Sequence, residues 1–196
     1  MSNRETDKRA HILATGRRLT ARQGYSGVGL NELLKTAGVP KGSFYHYFPS
    51  KEAYGCAILE DFVHGYEDRL VGSLDNPTLN ARDRLIAYFD EWHQNQVGPN
   101  PEDRCLVVKL SAEVADLSKN MSQILEQGVN AIIARLARTL EEGIAEGSIA
   151  KIDDTNGLAE AIYHQWLGAS LVASLSYDDA PFKSAMQRTR KLVPAA

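Results

Sequence analysis

The chain has 196 residues, enough to bury a sizeable core as one large domain or two smaller ones. Its net charge of −3 would by itself argue against nucleic acid, and its two cysteines are too few for a disulfide framework. The charge is unevenly spread, however. Residues 1–52 hold nine basic against four acidic side chains, a net of +5, and the remainder holds thirteen against twenty-one, a net of −8. A basic head on an acidic body suits phosphate contacts at one end only. No apolar run approaches the length of a membrane span and the first residues are charged, so a cytoplasmic protein is expected.

Thr6 to Gln23 reads as a first helix, with Ile12, Leu13 and Leu19 inward, Arg9, Arg17, Arg18 and Arg22 outward, and Gly24 as its stop. Leu30, Leu33, Leu34 and Ala37 then recur at helical spacing, Gly38 ends that face, and Pro40 suits the turn into a second short helix ending near Phe48. Phe44 and Phe48 stand four apart and so share a face, which is expected to be core. Two short helices around a tight turn make a helix-turn-helix, whose second helix lies in the DNA major groove. Ser50 caps a longer helix from Lys51 to about Val71, and Asn76-Pro77 marks a break.

Beyond the break, Leu85, Ile86, Phe89, Trp92 and His93 form one stripe, and Gly98, Pro99, Asn100 and Pro101 end it. Helices follow over Cys105 to Leu117, Met121 to Glu146, Asn156 to Tyr177 and Asp179 to Val193. In the Asn156 helix, Leu158, Ile162, Trp166, Ala169 and Ala173 share a face. The Asn156 helix and the final helix are expected to pair with their copies as a four-helix interface, since Ile162, Trp166, Ala169 and Ala173 form more apolar stripe than one small body can readily cover. Nothing reads as strand or repeat. The expected fold is all-α: an N-terminal three-helix helix-turn-helix DNA-binding domain over residues 1–50, and a C-terminal helical domain over 51–196, to which the family resemblance set out next assigns effector sensing and dimerisation.

The run Ala37, Gly38, Val39, Pro40, Lys41, Gly42, Ser43, Phe44, Tyr45, His46, Tyr47, Phe48, closed by Ser50 and Lys51, resembles the TetR-type transcriptional regulators. The stretch from Arg104 to Ser118 and the segment Trp166 to Ala169 resemble the NemR-type branch of that family, repressors of electrophile-detoxifying enzymes. The resemblance implies a homodimeric repressor that binds a double-stranded palindromic operator and releases it when a small electrophile, oxidant or other inducer acts. It further implies that Lys41, Tyr47 and Lys51 contact phosphate, that Ser43, Tyr45 and His46 approach base edges, and that Gly42 lets the backbones come close. Many TetR-type members carry Thr where this chain has Gly29, so that phosphate contact is expected to pass to Ser26 or a backbone N–H.

Cys105 follows a proline-containing loop and opens a helix, where unpaired N–H groups favour thiolate; Arg104 adjoins it and Lys109 lies one turn on. From the residues alone it is either an electrophile-sensing nucleophile or a small buried apolar side chain, and the resemblance favours the sensor. Cys56, within an apolar turn of the connecting helix, is expected to be structural. Tyr88, Trp92, His93, Tyr163 and Trp166 either line an inducer pocket or form core and dimer interface. The five histidines lack metal-ligand spacing, and no cofactor or metal is expected. A thiol enzyme with His93 as base lacks an orienting third group, and a purely architectural DNA binder has no use for a helix-start cysteine, so a regulator rather than an enzyme is expected. The alternative within that class is a repressor with a noncovalent inducer and a structural Cys105.

Overall fold

A computed structural model describes residues 3–196, with side chains from Asp7 onward. Its helices are α1 (Asn3–Gln23), α2 (Leu30–Ala37), α3 (Lys41–Tyr47), α4 (Lys51–Leu74), α5 (Ala81–Val97), α6 (Leu106–Leu117), α7 (Lys119–Glu146), α8 (Thr155–Ser176) and α9 (Ala180–Leu192), with a 3₁₀ turn at Pro101–Asp103 ahead of α6. Among the described residues there is no strand, and no helix is long and apolar enough to cross a membrane. The all-α architecture expected from hydrophobic periodicity is the one observed. Packing gathers the chain into two compact units, Met1–Gly65 with Asn100–Gln127 and Tyr66–Pro99 with Gly128–Ala196, so the dividing line runs through the interiors of α4 and α7. The boundary drawn at residue 50 follows the chain, whereas this grouping follows contacts and places residues 100–127 with the N-terminal helices.

The first unit is closed around Ile12, Leu13, Val28, Leu33, Leu34, Phe44, Phe48, Tyr54, Ala57 and Ile58. Helices of eight and seven residues are too short to persist alone, so α2 and α3 depend on this packing and on their ends. Gly38 takes φ +64° and the Val39 N–H returns to the Leu34 carbonyl, a Schellman stop that a residue with a Cβ would strain. Phe44 and Phe48 are both buried, as their spacing predicts, and each packs edge-on against Tyr54, at ring centroid distances of 5.3 and 5.2 Å. Ser50 accepts the Ala53 N–H at 3.0 Å and so caps α4 as expected.

The second unit has an aromatic centre. The Phe89 and Trp166 rings stack at 4.8 Å, Trp92 meets Tyr163 edge-on at 5.6 Å, and both indole N–H groups are satisfied, Trp92 by Ser170 Oγ and Trp166 by Thr189 Oγ1, each at 3.0 Å. This corrects the expectation for α8. Ile162, Trp166 and Ala169 are buried within a single chain and Ala173 is half-buried, so the first three of the stripe face the core and not a second copy. The apolar side chains that α8 leaves in solvent are Leu171, Val172 and Leu175, with Tyr177 just beyond its end.

Candidate nucleic-acid interface and sensor cysteine

Burial of Phe44 fixes how α3 rolls, and Lys41, Gly42, Tyr45 and His46 are left in solvent as a consequence. Ser43 and Tyr47 are half-buried, and the His46 and Tyr47 rings meet edge-on at 5.0 Å. The structure therefore places Lys41, Gly42, Tyr45 and His46 on the outside of one helix with Ser43 at its margin, while the half-buried Tyr47 also packs against the core of this unit. Apart from its chain neighbours and its own helix backbone, nothing in the protein stands within 4 Å of where a Cβ on Gly42 would lie, so packing within the chain does not require glycine there. Lys51 opens α4, with its ammonium 5.3 Å from the centre of the Tyr25 ring, while the Tyr25 hydroxyl donates to the Lys51 carbonyl at 2.7 Å. Burial, with Cys56 and Glu52 nearby, pushes the Tyr25 hydroxyl up to about 12, so it stays a donor across the working pH range.

The link from α1 to α2 lacks a local cap. Gly29 stands at the N-cap of α2 without a side-chain bond, as the sequence implies, and the Ser26 N–H is taken by Glu113 at 2.9 Å. The Ser26 backbone N–H is thus committed inside the protein, so the contact expected of Ser26 or a backbone N–H falls to the exposed Ser26 side chain or to another backbone N–H of this link.

Cys105 occupies the N-cap of α6 and is 7% exposed; neither it nor Cys56 forms a disulfide. The 3₁₀ turn before it begins with Pro101, is capped by Asn100 and packs on α1. Arg104 and Lys109 are both exposed. Cys56 lies half-buried in α4, with Glu52 one turn before it and Glu60 one turn after. Burial first, then these two carboxylates, pushes its thiol up, so at neutral pH it holds less thiolate than an ordinary cysteine. Maleimide should therefore label Cys56 slowly at pH 7, with a rate still climbing above the pH at which an ordinary thiol levels off. Glu60→Gln should speed it several-fold, as read by peptide mapping after limited labelling, and an unchanged rate would contradict the carboxylate effect.

Tyr88, Trp92, Tyr163 and Trp166 are brought together as touching, buried rings, with His93 stacked on Phe182 at 4.8 Å beside them. A ligand here would have to part these rings. The adjacent cavity, walled by Tyr66, Arg69, Ser73, Tyr88, Glu91 and Trp92, measures about 30 Å³, room for about one water. Sequence reasoning missed Glu113 and Glu52: both lie in helices with ordinary polar neighbours, and Glu113 meets Ser26 across 87 positions of chain.

Residues 12–53 match the sequence profile of bacterial regulatory proteins of the tetR family, and residues 81–189 that of the tetracyclin repressor-like C-terminal domain. The HTH-type transcriptional repressor NemR of Escherichia coli (strain K12) is 41% identical over 189 residues, covering 96% of this chain and 95% of that protein. The transcriptional regulator AcuR of Cereibacter sphaeroides is 32% identical over 88% of this chain and 79% of its own. The crystal structure of the reduced form of E. coli NemR superposes with a TM-score of 0.92 over 97% of this chain and 98% of that one.

Proposed function

Because the chain belongs to the TetR family of bacterial regulatory proteins, it is a DNA-binding transcriptional repressor of that type, and we propose that modification of the Cys105 thiol is what makes it release its operator. The observation that carries this reading is the place of Cys105, at the N-cap of a helix belonging to the same compact unit as the recognition helix α3. The residue stands at the positive end of the α6 dipole, which works against its burial and in favour of thiolate, the form that attacks electrophiles and oxidants. An adduct at a site only 7% exposed has to displace its surroundings. That the related NemR structure is specified as a reduced form marks redox state as a variable for that protein. The closed aromatic cluster gives a noncovalent inducer less purchase.

On the DNA side, Tyr45 and His46 project from α3 to read base edges, with Ser43 beside them. Lys41, Tyr47 and Lys51 hold phosphate. Gly42 has open space around it in the protein, so its bare backbone is free to approach DNA closely. A two-fold dimer presents two such helices to half-sites about one helical turn, roughly 34 Å, apart. Its place is the cytoplasm, with the operator, and its work is binding and not turnover.

The test is a titration of operator and random duplexes at several salt concentrations. Tyr45→Ala or His46→Ala should narrow the gap between operator and random DNA, each lost base contact being worth about 1–3 kcal/mol. Lys51→Ala should weaken both duplexes alike and flatten the salt slope by about one. Equal binding of the wild-type protein to both duplexes at moderate salt would overturn the reading.

A further inference from the structure

The end of α6 opposite Cys105 is fastened to the DNA-binding head at two points, both through carboxylates and both within the first compact unit. Glu113 reaches the turn between α1 and α2. Its Oε2 accepts the Ser26 N–H at 2.9 Å, and a Cβ added to Gly24, which sits at φ +79°, would lie only 2.3 Å from its Oε1. In return, Glu52 in the first turn of α4 accepts the Ser118 hydroxyl at 2.6 Å and the Asn120 amide at 3.3 Å. Ser118 is the residue that ends α6, and its oxygen also takes the Met121 N–H at 3.3 Å as α7 starts. The two ties fall at functional places. The Gly24 to Val28 turn delivers the chain into α2, whose own N-cap, Gly29, supplies no side-chain bond. Glu52 follows Lys51, which the proposed DNA surface includes.

We propose that Glu113 and Glu52 are positioning residues for operator recognition, clamping the C-terminal end of α6 to the turn before α2 and to the start of α4, and that this clamp is what a modified Cys105 opens. The second half rests on the thiol-switch reading; the first half does not. Distances set the sensitivity. Glu113 lies eight residues from Cys105, about 12 Å along a helix rising 1.5 Å per residue, so a push at one end arrives at the other as a rigid displacement. A hydrogen bond of 2.9 Å is gone by about 3.5 Å, so a slip of roughly 0.6 Å frees the turn. A maleimide adduct at a buried N-cap is several times bulkier than that slack.

The experiment measures operator and random-duplex affinity, and amide hydrogen exchange at Ser26, for wild type, Glu113→Ala, Glu113→Gln and Glu52→Ala, before and after reaction with N-ethylmaleimide. Before reaction, Glu113→Ala should speed exchange at Ser26 and cut the preference for operator about tenfold, with random-duplex affinity held, because a charge-assisted bond to the turn is lost. Glu113→Gln keeps an acceptor oxygen and should restore most of the preference. Glu52→Ala should lower the preference in the same sense. A general loss of folding would depress both duplexes together and show in circular dichroism, and the Gln variant carries the comparison if Ala fails to fold. After reaction, the variants lacking the clamp should lose less further affinity than wild type. Wild-type preference with wild-type Ser26 exchange in Glu113→Ala would overturn the clamp. Equal additional release in wild type and Glu113→Ala would overturn its link to Cys105. No release of the wild type by maleimide, with the preference still lost in Glu113→Ala, would remove the thiol switch and leave the clamp standing.

Discussion

Cys105→Ser should hold the operator at doses of maleimide, quinone or hypochlorite that strip the wild-type protein from it, while Cys56→Ser should behave as wild type. Both substitutions are nearly isosteric, and the two thiols differ in surroundings. Cys105 stands at a helix start, whereas burial and the flanking Glu52 and Glu60 push the Cys56 thiol up. The size of the effect follows from population arithmetic. Moving a repressor from almost wholly bound to almost wholly released takes about 10⁴ in relative affinity, about 5.5 kcal/mol. Overpacking a tight core costs typically 1–3 kcal/mol per site, so the two sites of a dimer supply about 2–6 kcal/mol, and full release needs both protomers modified together with broken polar contacts unless each site costs close to the upper figure. Titrating release against adducts per dimer, by mass spectrometry alongside fluorescence anisotropy, reads this directly. If Cys105→Ser lets go at wild-type doses, the thiol is structural and a noncovalent inducer becomes the account to pursue.

Leu175→Glu should leave the fold intact and dissociate the dimer. Leu175 is 81% exposed in the single chain and sits on α8 with Leu171 and Val172, an apolar group that is costly to leave in water unless another surface covers it. In a two-fold interface the substitution enters twice, so two carboxylates are driven into one dry contact, where each uncompensated charge costs several kcal/mol. At about 1.4 kcal/mol per tenfold in affinity, the dimer should be lost at micromolar concentration, and with it binding to a full palindrome. Sedimentation velocity with circular dichroism checks this. Ala169→Glu, the substitution that the sequence pattern suggests, should instead damage the fold, because Ala169 is buried within the chain. A dimeric Leu175→Glu at micromolar concentration would place the interface elsewhere.

The two residues Ala169 and Leu175 show what kind of information a sequence pattern carries. Helical periodicity reports that one face of α8 is buried, and it found that face correctly; it carries no record of what does the burying. A core ring and a partner helix select for the same apolar residues at the same spacing, so the pattern alone does not tell one neighbour from the other. The recognition helix was easier to read because its rule is local. Phe44 and Phe48 at a separation of four fix the roll of α3, and Tyr45 and His46 must then face out. The helix start at Cys105 was likewise legible from Pro101 and the loop before it. Glu113 was not: its partner lies 87 residues away, and a glutamate on a half-exposed helix looks the same whether it meets water or the Ser26 amide.

The grouping of residues 100–127 with the N-terminal helices bears on how such regulators can be recombined. A chimera that grafts residues 12–53, the span of the family's N-terminal profile, onto another sensing body would inherit the reading side chains on α3 but leave behind the carboxylate that steadies the turn before α2. Specificity would then travel without its adjustment. Transplanting operator choice from this chain calls for a discontinuous cassette, with the α6 segment moved alongside the head, and the natural crossover points lie near Gly65, Asn100 and Gln127.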